Sequence, residues 1–156
     1  MGVTDSGQWF SRAFGAGLVG GLATAFWTAL YTAMAGFPWW SGLALYRTRL
    51  FGLSSTPVVS SHLFGAVVAG CTWLLISGLI AGALFGIIAG ALLPSDLRAG
   101  RVGLFGMIFG LILYGLTAWG VPLLPATATA HMAPWGRVVA LVLMGGLIGR
   151  LAGSTH

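Results

Sequence analysis

The chain has 156 residues, 58% of them hydrophobic and only 6% charged, too few charges to dress a water-facing surface. Lys, Glu and Asn are absent, the acids are Asp5 and Asp96, and the basic residues are seven arginines. A formal charge of +5 would point to nucleic acid if the arginines clustered, but they stand singly or in pairs at the ends of apolar runs. Membrane-interface anchors are placed that way, so nucleic acid is excluded and the lipid bilayer is the first partner.

In chain order, the first apolar stretch runs from Arg12 to Gly36, after a decapeptide, MGVTDSGQWF, with no basic region of the kind that opens a signal peptide. It is long enough to cross a hydrocarbon core, which takes about 20 residues of helix. Residues 39–57 follow, where Trp39, Leu43, Tyr46 and Leu50 share one helical face while Arg47 and Thr48 fall on others. That pattern predicts a short amphipathic helix in the membrane interface, anchored by Trp39, Trp40, Arg47 and Arg49.

The second stretch, Leu63 to Leu93, would reach about 46 Å as a helix against a core of about 30 Å, so it is expected to tilt or to leave its first turns outside. Its segment GLIAGALFGIIAG carries Gly78, Gly82, Gly86 and Gly90 four residues apart. Such a ladder makes a smooth face on which another helix can close until backbones touch. The third stretch runs from Arg101 to Val121. The fourth, from Trp135 to Gly153, repeats the ladder with Gly145, Gly149 and Gly153. These faces are expected to pack within the chain, or one of them against a second subunit. Arg137 and Arg150 lie about 20 Å apart along the fourth helix. Arg150 therefore either snorkels or is covered by protein, with Asp96 as its ion-pair partner. All six prolines fall at or outside the ends of these stretches, where a missing N–H does least harm.

With four spans, Arg12, Arg98, Arg101 and Arg150 share one side, and Arg47, Arg49 and Arg137 the other. The positive-inside rule then places both termini in the cytoplasm.

The chain also matches itself. With Arg12 registered on Arg101, Gly17 falls on Gly106, Gly21 on Gly110 and Thr28-Ala29 on Thr117-Ala118, an offset of 89. At an offset of 71, Phe64 to Ala69 falls on Trp135 to Ala140, and a three-residue slip then sets Ser77-Gly78-Leu79-Ile80 against Gly145-Gly146-Leu147-Ile148. The expected fold is an all-α integral membrane protein, a single membrane domain over residues 1–156. It has four transmembrane helices as two pseudo-repeated hairpins, residues 12–93 and 101–153, with the interfacial helix inserted in the first.

Chemistry is scarce. His62 and His131 each precede an aromatic residue at the head of a span, on one membrane side, where two imidazoles could hold haem, a pigment or a quinone. The bland alternative is a pair of interfacial histidines facing water. No Cys, Asp or Glu stands near them to complete a metal site, and no cofactor is named. Membrane-embedded carboxylates are missing, and the hydroxyls of Thr24, Thr28, Tyr31, Thr32, Thr72, Ser77, Tyr114 and Thr117 are expected to bond neighbouring carbonyls. No Ser/His/Asp grouping, carboxylate pair or phosphate loop can be assembled, so catalysis by this chain alone is not expected.

His62-Leu63-Phe64 and the closing Trp135-Gly136 helix resemble the layout of small bacterial inner-membrane proteins of the YagU type, over about the last two thirds of the chain. The resemblance implies a small bacterial multi-span protein and supplies no site residues. Abundant packing surface beside little chemistry predicts a non-catalytic accessory or scaffold subunit of a larger membrane complex, respiratory or photosynthetic. The alternatives are a small homo-oligomeric channel or transporter for a neutral solute, and cofactor binding through His62 and His131.

Overall fold

The computed structural model describes residues 3–44, 63–93, 99–118 and 133–154. Four long helices carry most of them: α1 (Val3–Met34), α2 (Leu63–Leu92), α3 (Ala99–Ala118) and α4 (Pro134–Gly153). Three are long and apolar enough to cross a membrane, over Trp9–Met34, Leu63–Leu92 and Pro134–Gly153, and the apolar part of α3, Gly100–Leu116, is shorter. An all-helical architecture of this kind fits an integral membrane protein. Helix ends follow local chemistry. Pro134 occupies the first turn of α4, where no N–H is needed, and α1 stops at Gly36, whose φ of 81° few other residues would adopt. The long second stretch is one uninterrupted helix of 30 residues.

The pairs α1–α2, α3–α4 and α1–α4 all pack antiparallel. In the hairpin α1–α2, Gly17 and Gly78 each present their Cα hydrogen to the other's carbonyl, with Gly82 set against the carbonyl of Ala13 and Gly21 against that of Leu74. The hairpin α3–α4 closes the same way. Gly106 and Gly145 face each other's carbonyls, Gly149 meets that of Val102 and Gly110 that of Leu141. Correspondence between the hairpins is an offset of 89 in their first helices (Gly17 to Gly106) and of 67 in their second (Gly78 to Gly145). The second value differs from the sequence match. Contact pairs Gly78 with Gly145 where alignment pairs it with Gly146, and the Phe64–Ala69 match lies one helical turn away. Close approach is decided by which Cα faces a carbonyl, and residue similarity among glycines and leucines is blind to that.

The two hairpins meet through α1 and α4, where Gly20 of α1 sits against Met144 and Ile148. Helix α2 reaches α3 through aromatic side chains: the ring of Phe85, fully buried, lies 5.5 Å from Phe109 and 6.0 Å from Phe105.

Large and small residues are distributed as lipid requires. Gly, Ala and Thr fill the α1 faces that meet α2 and α4, while Phe10, Phe14, Leu18, Leu22, Phe26 and Leu30 line its outer side. Outward on α2 stand Phe64, Ile76, Ile80, Leu84 and Ile87, and on α3 Leu104, Ile108, Leu111 and Ile112. A water-soluble bundle would bury those side chains. In a bilayer they lose nothing by facing out, and small residues let the backbones meet.

Two alternatives left open by the sequence narrow here, and one expectation is corrected. The ladder of α2 packs within the chain, the first of the two arrangements expected, with Gly78, Gly82 and Gly86 closed over by α1. Gly145 and Gly149 are likewise taken by α3; Gly90 is half-buried and Gly153 buried. Arg150 is not covered by protein but exposed on α4, its Cβ against Gly103 of α3. Finally, Trp39 and Leu43 do not share an interfacial face: Trp39 is 54% exposed and Leu43 only 3%. The reason lies in the path of residues 37–44.

Candidate functional site

The polar groups of the described interior gather at the end of the bundle where α1 stops and α2 and α4 begin. Spacing of four along α1 puts Gly20, Thr24, Thr28 and Thr32 on one face. All three threonines are buried, and each hydroxyl donates to the carbonyl four residues back: Thr24 to Gly20 at 2.9 Å, Thr28 to Thr24 at 2.8 Å, Thr32 to Thr28 at 2.9 Å. Such back-bonding satisfies the hydroxyl within the helix.

Thr32 also holds the segment that follows. Helix α1 ends in a Schellman motif, with the Phe37 N–H donating to the Thr32 carbonyl (3.0 Å) and the Gly36 N–H to that of Ala33 (3.1 Å). Past Pro38 the chain turns back into the bundle, and the Thr32 Oγ1 lies 3.0 Å from the Trp39 carbonyl. That hydroxyl has one proton for three acceptors, the carbonyls of Thr28, Ala29 and Trp39. A helical turn over residues 41–44 then seats between the hairpin's helices. Gly42 rests on the methyl groups of Thr28 and Thr32, and the Leu43 carbonyl lies over Gly70. A methyl at either glycine would come inside 3.0 Å of its neighbours, closer than real Cβ atoms approach. Where the turn enters the bundle its backbone is shielded by protein, residues 42–44 being buried.

This re-entrant turn leaves two polar atoms unmatched. The Ser41 Oγ and the Trp73 Nε1 are buried and have no hydrogen-bond partner among the described residues. Each such group costs about 1–3 kcal/mol relative to its paired state. Trp73 packs on a small cluster of Ala25, Leu43 and Leu74, separate from the main core around Phe85 and Ile148.

Beside the turn, α1 clasps the head of α4. The Trp27 indole N–H donates to the Gly136 carbonyl at 3.0 Å, and the Ala133 N–H donates to the Tyr31 hydroxyl at 3.0 Å. The Tyr31 ring meets Trp135 edge-on at 5.1 Å and covers Gly136 so closely that a Cβ there would collide. Because Ala133 has no side-chain cap and Pro134 has no N–H, Tyr31 caps α4 from another helix. Tyr31→Phe is expected to lower stability by about 1 kcal/mol, read as a shift in a denaturant titration in detergent micelles. An unchanged midpoint would mean the Ala133 amide finds another acceptor.

Of the residues singled out from sequence, His62, His131, Arg47, Arg49 and Asp96 lie outside the described residues, and so does the pairing of Asp96 with Arg150. Trp40 is half-buried near the turn. Among the described residues no three of His, Cys, Asp or Glu gather as a metal site would need. Sequence reasoning missed the clasp and the re-entrant turn, whose only local signals are the stop Gly36-Phe37-Pro38 and the small residues around Leu43. No protein-family model, curated protein or solved structure matches this chain.

Proposed function

We propose that the chain is a non-catalytic subunit of the bacterial inner membrane, with four spans and both termini cytoplasmic, that scaffolds a larger complex. The observation that carries this reading is the make-up of the interior. It is glycine, alanine and large apolar side chains; its buried polar residues among those described are three threonines whose hydroxyls are already bonded to α1 carbonyls, and beside them the Ser41 hydroxyl and the Trp73 indole N–H are the two buried side-chain atoms left unmatched. A solute path needs a polar lining, and these groups have little capacity left to form one. The outer faces, in contrast, offer long apolar stripes to lipid or to companion helices. Because Gly78, Gly82, Gly86, Gly145 and Gly149 are used within the chain, contact with companions falls to those stripes.

Four spans are supported by the way α3 lies antiparallel along α4, glycine to glycine, although its apolar part is only 17 residues. Two related hairpins are supported by the contact pattern they share. For the orientation, Arg12, Arg101 and Arg150 stand at the opposite end of the bundle from Arg137, and the count of four against three rests on the loop order of the sequence for Arg98, Arg47 and Arg49, which lie outside the described residues.

Native mass spectrometry of the protein taken gently from its host membrane tests the reading. Departure with other subunits is expected, and their masses would name the complex. A bare monomer retires the scaffold. A bare homo-oligomer moves the channel or transporter for a neutral solute ahead of it, with flux assays next.

A further inference from the structure

We propose that residues 37–44 form a wedge that swings out of the α1–α2 hairpin while the four helices stay folded. Five observations carry it. The seat is made of missing side chains: the Leu43 carbonyl can lie over α2 only because position 70 is glycine, and Gly42 can rest on α1 only because it has no Cβ. One step further along the glycine ladder from Leu74 brings α2 to Gly70, whereas the same step from Leu141 brings α4 to Arg137. The seat therefore belongs to the first hairpin, and a side chain as long as arginine would fill it.

On the α1 side the Phe37 N–H donates to the Thr32 carbonyl at the start of the wedge, and beyond it the Thr32 hydroxyl offers one proton that three carbonyls share. Seated, the wedge has its own Ser41 hydroxyl buried without a partner among the described residues, as is the indole N–H of Trp73, which packs against the cluster that holds Leu43. Its apolar burial belongs to the small cluster with Ala25 and Leu74, so the main core stays whole when that contact opens. Gly36, at φ 81°, begins the segment and is the natural hinge. A vacated seat presents the hydroxyl of Thr32 and the indole N–H of Trp73 at the mouth of the hairpin.

The test uses Ala44→Cys and, as a control at the same end of the bundle, Ala140→Cys on α4, each in a Cys71→Ser background. Ala44 and Ala140 are similarly buried, 4% and 6% exposed. With the protein in liposomes, Ala44→Cys is expected to react with a small methanethiosulfonate at least about tenfold faster than Ala140→Cys. Adding Thr32→Val should speed the reaction at position 44 alone. Adding Trp73→Phe, which removes an unpartnered donor from the seated state, should slow it. Equal rates at the two cysteines, or a rate at 44 indifferent to both substitutions, would overturn the wedge. On the unsubstituted chain, exchange of the Ala44 N–H, bonded to the Trp40 carbonyl at 2.9 Å, gives the same reading. Protection equal to that of the α2 amides counts against movement.

Discussion

Gly106→Leu is expected to unseat the second hairpin, with a loss of about 3 kcal/mol or more, the upper end of what overpacking costs. Any Cβ at this position runs into the Gly145 carbonyl and sits 3.0 Å from the Gly149 Cα. The obstacle is backbone on a facing helix, so no rotamer change can relieve it, and the helices must separate along the whole seam. Gly115→Leu on the same helix is the control. Nothing lies within 4 Å of its Cβ, and its effect should stay within about 0.5 kcal/mol. Unfolding in detergent micelles, followed by circular dichroism or by gel mobility, separates the two variants. If Gly106→Leu behaves like Gly115→Leu, α3 and α4 do not meet as described.

Ile80→Arg probes the surroundings rather than the packing. Ile80 is 49% exposed near the middle of α2, flanked on the same face by Ile76 and Leu84. On a protein facing water the change would be nearly neutral and would aid solubility. At mid-bilayer an arginine costs about 2.5–3.5 kcal/mol. A fall of that size is expected in bicelles, together with poorer insertion of the span in a membrane-insertion assay. A neutral result would contradict a lipid-facing α2.

The extent of the long helices was legible because apolar runs and proline positions are local signals. Leu63–Leu92 and Pro134–Gly153 depart from the expected spans by a residue at most at either end, while α1 begins nine residues earlier, at Val3. Those residues include Asp5, Ser6 and Gln8, whose polarity masks a helix in a hydropathy reading. The glycine ladders announced close approach but could not say to which helix. Their partners, Gly17, Gly21, Gly106 and Gly110, stood out in the sequence only through the internal match. The re-entrant turn was illegible because Leu43 reads as one face of an amphipathic helix, and its burial depends on Gly70, far along the chain. The same holds for Tyr31, whose partner Ala133 lies 102 residues away. Long-range capping leaves no mark in either segment taken alone.

The two glycine seams have a thermal consequence. Closing them freezes almost no rotamers, because glycine and alanine surrender no side-chain freedom on burial. Lipid chains are as apolar as the surfaces they leave, so the water-ordering that makes soluble cores strengthen and weaken with temperature contributes little. The attraction that remains is dispersion and weak Cα–H···O contact, enthalpic and short-ranged. Warming therefore has small leverage on the closed hairpins, and a single added methyl has a great deal.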